Sequence, residues 1–330
     1  MNQPRCDKQF RAFVLLFLLC ACVPLSPIVA QSSKPESAVS VLVSVAARGN
    51  SAAPPLQAED VRLLEDNTPR RIVSFDDQSE SPLALTLAID VSGSQEHLLY
   101  ATKSIAWQLV AKLLRPGKDR IAVASFSNET SVELPLTHDL AQAQGAIDEL
   151  KFIPPPGWMS GGVIVGSPPK LAPHTPGSTA LWDAVIDVDQ KVFTARQPQE
   201  RRTILLLTDG EDTGSRAKLK DAVESAISAG VVVYAIGIGD AKNYEGVDKE
   251  SLKKIAERSG GEAFFPGKPS DLPNTFTRLE AILSSQYLLT FVPADKPDAQ
   301  NFRKLKIEIV KPDLRESLRV TFQEGYFRMP

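Results

Sequence analysis

Hydrophobic and polar positions divide the chain into three stretches with different periods. From Val39 to Phe75 the period is that of short strands. Val39 to Ala47 (VSVLVSVAA) alternates or runs apolar with β-branched residues, and a Gly/Ser/Pro loop follows. Val61 to Glu65 and Arg70 to Phe75 predict two further strands across Asp66-Asn67-Thr68-Pro69, where Asp and Asn supply the turn. No helical period occurs here, and Asp76 to Pro82 is a polar linker.

From Leu83 strands alternate with helices, the pattern of a mostly parallel sheet covered on both faces. Leu83 to Asp90, Thr203 to Thr208 and Val231 to Ile238 are near-continuous apolar runs, as central parallel strands require. His97 to Leu114 places Leu98, Ile105 and Leu109, with Leu99, Ala106, Val110 and Leu113 beside them, at helical spacing, and Arg115-Pro116-Gly117 ends it. Trp107 and Trp182 are read as core residues on apolar helix faces. Arg120 to Phe126 and Ser131 to Leu136 predict strands, and Asp139 to Leu150 a short helix. Ala217 to Ala229 predicts a helix closed by Gly230, with Glu211 and Asp212 as its caps. Ser251 to Ser259, Glu262 to Phe265 and Asp271 to Ser285 predict helix, strand and helix. One stretch, Ile153 to Pro176 (IPPPGWMSGGVIVGSPPKLAPHTP), fits no element, and loops of that length are more often functional than filler.

After Ser285 the helical period disappears again. Tyr287 to Val292, Phe302 to Val310 and Leu318 to Phe322 predict strands. Neither β-rich end is long enough to fold comfortably alone. The expected architecture is therefore an α/β domain with a mostly parallel central sheet, residues 83–285. It is inserted in a small β-sandwich built from residues 31–82 and 286–330.

Composition changes this picture mainly at the start. Residues 1–30 read as a signal peptide: Arg5, Lys8 and Arg11 precede the apolar Ala12 to Leu25, and Ile28-Val29-Ala30 offers a cleavage site. Leu19-Cys20-Ala21-Cys22 is an alternative lipoprotein signal with Cys22 as the lipid-bearing residue. All three cysteines, Cys6, Cys20 and Cys22, lie in that segment, so a chain cut after Ala30 has no disulfide and no thiolate ligand. The segment holds three basic residues and one acidic, which takes the net charge of −3 to −5 for residues 31–330. With no basic cluster, nucleic acid is a poor partner.

The candidate chemistry sits where the first buried strand ends. Side chains at alternate positions leaving a strand point the same way, so Asp90, Ser92 and Ser94 converge on one volume, which suits a hard cation. Thr179, in Gly177-Ser178-Thr179-Ala180-Leu181-Trp182-Asp183-Ala184, and Asp209, in Thr208-Asp209-Gly210 after a second apolar run, are placed to join them. His97, His138 and His174 are too few and scattered for zinc. Gly237 and Gly239 read as structural, allowing close backbone approach at a strand end.

These residues, in this order, resemble the metal-ion-dependent adhesion site of von Willebrand factor type A domains over roughly residues 83–285. The flanking strands and Gly325-Tyr326 resemble the exported bacterial VWFA-related group. The resemblance implies Mg²⁺, with Mn²⁺ or Ca²⁺ as alternatives. Ser92, Ser94 and Thr179 would coordinate directly or through water, while Asp90 and Asp209 act behind them or move in. It also implies a protein partner that presents an Asp or Glu carboxylate. Trp158, His174, Gly177 and Ser178 are the candidate rim of such a site, with Trp158 either a buried anchor or a partner contact.

Two other functional classes stand beside this binding module. One is a structural part of an envelope assembly with a non-essential metal site. The other is a metal-assisted phosphoryl-transfer enzyme with an aspartate nucleophile. Against the enzyme, the second position after Asp90 is Ser92 and not a second acid. The chain also has no GxSxG, Walker loop or HExxH.

Overall fold

The computed structural model describes residues 38–48, 53–156, 175–194, 200–239, 246–294 and 301–327, together with the backbone of 158–159 and 163–164. Residues 1–30 with Cys22, the side chain of Trp158, and His174 lie outside the described residues.

The chain opens with β1 (Val39–Ala47), β2 (Val61–Glu65), β3 (Thr68–Arg70) and β4 (Ile72–Asp77). Asp66 and Asn67 both take positive φ, 47° and 64°, which only short polar side chains or glycine accept readily, so the Asp-Asn turn closes the β2–β3 hairpin. The single strand expected over Arg70 to Phe75 is broken at Arg71. β3 pairs with β2 in one sheet, and β4 pairs with β13 (Gln286–Phe291) in another. Ile72 and Phe75 both pack on the sandwich core although they are three residues apart, because the pairing of β4 with β13 shifts register between Ser74 and Ile72.

The α/β part follows as β5 (Leu83–Asp90), α1 (Leu99–Leu113), β6 (Arg120–Phe126), β7 (Thr130–Thr137) and α2 (Leu140–Glu149). Two strands of two residues each, β8 (Trp158–Met159) and β9 (Val163–Ile164), pair antiparallel inside the stretch expected to lack structure. Then come α3 (Leu181–Lys191), β10 (Arg201–Thr208), α4 (Leu219–Ala229), β11 (Val231–Gly237), α5 (Lys249–Ser259), β12 (Ala263–Phe264) and α6 (Leu272–Leu283). The six central strands lie in the order β12-β11-β10-β5-β6-β7, all parallel except β7. Every residue of β5, β10 and β11 is buried, which is why these strands read as near-continuous apolar runs. Gly230 takes φ 66° after α4, as its place past the last helical residue predicts.

Beyond β13 the chain adds β14 (Phe302–Ile309), the short helix α7 (Pro312–Ser317), β15 (Leu318–Phe322) and β16 (Gly325–Phe327). The sheets β15-β1-β13-β4 and β16-β14-β2-β3 interleave strands from both ends of the chain, as the two β-rich ends suggest. Val41, Val43, Leu63, Leu289, Phe291 and Ile307 fill the space between them. A polar seam joins this sandwich to the central sheet. Arg201 of β10 donates to the carbonyls of Ser81 and Leu283 and to Gln286 Oε1 at 2.8 Å. Gln286 in turn donates to Ser44 Oγ at 2.9 Å. Burial pulls the Arg201 guanidinium down to about 10.

Trp107 departs from expectation. The buried stripe of α1 runs through Leu99, Thr102, Ile105, Ala106, Leu109 and Val110, and Trp107 lies off it, 41% exposed. Trp182 is buried, as expected.

Candidate metal centre

The strand order reverses between β5 and β10, so a crevice opens beyond the carboxyl ends of these two neighbours. Register delivers the chemistry to it. Leu207 pairs with Ile89, which sets Thr208 beside Asp90, and Thr208 Oγ1 donates to Asp90 Oδ2 at 2.6 Å. The backbone N–H of Ser92 donates to Asp90 Oδ1 at 2.9 Å. Asp90 is fully buried, with both oxygens engaged.

Three hydroxyls meet over this pair of strand ends. Thr179 Oγ1 donates to Ser92 Oγ at 2.9 Å, Ser92 Oγ and Ser94 Oγ lie 3.4 Å apart, and Ser94 Oγ donates to Asp209 Oδ2 at 2.5 Å. The structure thus brings Asp90, Ser92, Ser94, Thr179 and Asp209 into one chain of contacts spanning more than a hundred residues of sequence. Neighbouring ligands of an octahedral ion with metal–oxygen bonds near 2.1 Å stand about 3 Å apart. The 2.9 Å between Thr179 and Ser92 matches that spacing, and the 3.4 Å between Ser92 and Ser94 is slightly wider.

Electrostatics favours a cation at the same place. Burial pushes the carboxyl of Asp90 above its ordinary range, and the charge of Asp209 pushes it further. Burial raises Asp209 as well, opposed by hydrogen bonds from Ser94 and the Glu211 N–H. Two carboxylates that disfavour each other's charge gain from a divalent ion between them, which inverts both tendencies. The donor set is all oxygen and mostly neutral, the chemistry Mg²⁺ or Mn²⁺ accepts. Among the described residues no group of three or more His, Cys, Asp or Glu side chains is placed to hold a metal.

Thr179 is held in place by a reciprocal clasp between two loops. Its N–H donates to Thr213 Oγ1 at 3.0 Å, and its carbonyl accepts from the N–H groups of Thr213 and Gly214, both at 2.9 Å. One turn further on, Leu181 N–H donates to Asp212 Oδ1 and Trp182 N–H to Ser215 Oγ, each at 2.9 Å. Asp183 returns the bond, accepting from the N–H groups of Arg216 and Ala217. Asp212 therefore caps α3 and not the helix near Ala217, which begins at Leu219 with Asp221 serving its first turn. The capping function was legible; the helix it serves was not, because the α3 end approaches only in three dimensions.

The rim residues divide. Gly177 takes φ 77°, and a Cβ there would collide with the Pro155 backbone; its carbonyl accepts from Gly93 N–H at 3.0 Å. Ile153 N–H bonds Val91 O at 2.9 Å. The Pro-rich run thus begins strapped to the lip. Ser178 is buried and donates to Thr175 O at 2.7 Å, so it is a packing position and not rim. Gly239 fits the expectation of close backbone approach, since a Cβ there would strike the Gly246 carbonyl, whereas the close neighbours of Gly237 are side chains, Val247 at 2.7 Å and Phe265 at 2.8 Å. Sequence reasoning missed Thr208 and Gln95. Thr208 could have been found from its register with Asp90, whereas Gln95 carries no signal in one sequence.

The sequence model of the von Willebrand factor type A domain family matches residues 170–278, a stretch that includes Thr179 and Asp209. A UPF0353 protein of Mycolicibacterium vanbaalenii is 28% identical over 217 residues, 59% of this chain and 58% of that protein. Mouse integrin alpha-M is 30% identical over 96 residues, 29% of this chain and 8% of its own length. The matches thus span less than two thirds of either relative. A solved von Willebrand factor type A structure from Catenulispora acidiphila aligns over 90% of this chain and 75% of that one, at 15% identity and a TM-score of 0.48.

Proposed function

The chain carries a von Willebrand factor type A domain, and from that premise we propose that it is a divalent-cation-dependent protein-binding module acting outside the cytoplasm. Domains of this family are metal-dependent adhesion and protein-interaction modules. The observation that carries the reading is the convergence of three hydroxyls, from Ser92, Ser94 and Thr179, beside the buried carboxylates of Asp90 and Asp209. Ser92, Ser94 and Thr179 would hold the ion directly or through water, with Asp90 and Asp209 behind them or moving in; the donor set suits Mg²⁺, with Mn²⁺ or Ca²⁺ as alternatives.

When bound, the ion supplies a strong electrophile for one further anionic ligand. Ser92, Ser94 and Thr179 offer neutral oxygens and so leave most of its charge in place. Asp90, locked by Thr208 and Ser92 N–H, orients the serine loop. Asp209 accepts a hydrogen bond from the Ser94 hydroxyl and fixes which way that oxygen faces. The remaining position suits an Asp or Glu carboxylate from a partner protein. A phosphoryl-transfer role fits less well, because Asp90 is 0% exposed and both its oxygens are already bonded.

Export rests on the basic start, apolar run and cleavage site of residues 1–30, with Cys22 as the lipid-bearing residue in the anchored variant. Affinity capture from an envelope fraction tests the whole reading. Immobilised protein should retain one or more envelope proteins in Mg²⁺ and release them in EDTA, and Ser92→Ala should retain none. Capture indifferent to EDTA and to Ser92→Ala would refute it.

A further inference from the structure

Gln95 follows Ser94 in the turn that enters α1 and is 1% exposed. Its amide Nε2 donates to Asp209 Oδ2 at 3.0 Å and to the Ile238 carbonyl at 3.3 Å. An ionised carboxylate and a carbonyl are acceptors only, so the amide nitrogen, not the oxygen, must face them. The other end of the amide, Oε1, is buried and has no hydrogen-bond partner among the described residues. A buried acceptor without a partner is costly, and here the arrangement that incurs the cost is the one that grips Asp209.

The grip completes the engagement of that carboxylate. Oδ2 accepts from Ser94 and Gln95, and Oδ1 accepts from Glu211 N–H at 3.1 Å. Ile238 lies just past the end of β11, so Gln95 ties Asp209 to a third strand end as well as to its own loop. We infer that Gln95 is a positioning residue: it holds Asp209 in the role of acceptor for the Ser94 hydroxyl and keeps that negative charge from serving the cation directly.

The inference rests on the metal-binding reading above, and its consequence concerns the partner. If Asp209 is held back, the ring of ligating oxygens stays mostly neutral and the ion remains attractive to an outside carboxylate. Once released, Asp209 supplies that charge from within. Gln95 thus governs how strongly an external acid is bound, separately from how strongly the ion is bound. Methionine has nearly the same length and volume as glutamine but no donor, so Gln95→Met removes the grip without opening a cavity.

The test uses the full chain as wild type, Gln95→Met and Gln95→Ala, with folding followed by far-UV circular dichroism. Mn²⁺ affinity is read by electron paramagnetic resonance. Acetate is then titrated onto the Mn²⁺-loaded protein and followed by the Mn²⁺ spectrum and by water-proton relaxation. The expected result for Gln95→Met is a Mn²⁺ Kd within about threefold of wild type, or tighter, with acetate affinity reduced at least tenfold. A merely structural role would move both affinities together or neither. The inference is overturned if Gln95→Met matches wild type in both. It is also overturned if the folded variants lose Mn²⁺ itself, or if both variants fail to fold. Wild type that takes no Mn²⁺ would overturn the metal reading and this inference with it, whereas binding by wild type beside unchanged variants overturns the inference alone.

Discussion

Thr208 Oγ1 donates to Asp90 Oδ2 at 2.6 Å, joining the final residues of two adjacent parallel strands that are 118 residues apart in sequence. The same hydroxyl accepts from Gly210 N–H at 3.0 Å, so one side chain links the aspartate of β5 to the loop that carries Asp209. Thr208→Val keeps the shape and deletes both bonds. Leaving a buried carboxylate oxygen without its donor should cost about 1–3 kcal/mol in urea unfolding. Mg²⁺ affinity should fall at least tenfold, because Asp90 no longer fixes the serine loop. Unchanged stability and affinity would remove Thr208 from the account.

Gly177→Ala forces a side chain into φ 77° and against the Pro155 backbone. The left-handed conformation alone costs about 1–2 kcal/mol for a residue with a Cβ, and the collision adds to it. Unfolding in urea should show a loss of about 2 kcal/mol or more. Since Gly177 also receives Gly93 N–H, the loss should come with weakened metal binding and not with stability alone.

Asp189 of α3 predicts a pH dependence away from the metal centre. Its Oδ2 accepts from Ser225 of α4 at 2.7 Å, while Oδ1 is buried without a hydrogen-bond partner. Burial pushes this carboxyl up to about 7, with the Ser225 bond and the positive charge of Arg202 opposing. In the unfolded chain it titrates near 4. The folded state therefore holds the proton more tightly. The stability it contributes is complete below about pH 4, falls as pH rises to about 7, and is constant beyond. Asp189→Asn removes that loss, so the variant should exceed wild type by on the order of 2 kcal/mol at pH 8 and by little at pH 4. Denaturant midpoints at the two pH values check the sign.

What the sequence disclosed follows from how each signal arises. Leu83 to Asp90 was readable because a central parallel strand is buried on both faces and must be apolar throughout. Asp90 and Asp209 stood out because each ends such a run. Gln95 did not, since a glutamine in a polar helix entry looks solvated until Ile238 and Asp209 are folded against it. Trp107 was misassigned because an aromatic beside a helical stripe is indistinguishable, in one sequence, from an aromatic on it. The switch of sheets at Arg71 left no mark, and six residues of α7 are too few to display a period.

Metal linkage addresses the central claim most directly. Thermal unfolding of the full chain should be recorded with EDTA and with rising Mg²⁺ or Mn²⁺, for wild type, Ser92→Ala and Asp209→Ala. An ion that binds only the folded state adds about 2.7 kcal/mol at a hundred times its Kd. In a domain of this size that is a rise in Tm of roughly 5 °C. The account predicts that rise for wild type and its absence in both variants. A wild-type Tm that does not move at saturating Mg²⁺ and Mn²⁺, or a rise retained by the variants, would contradict it.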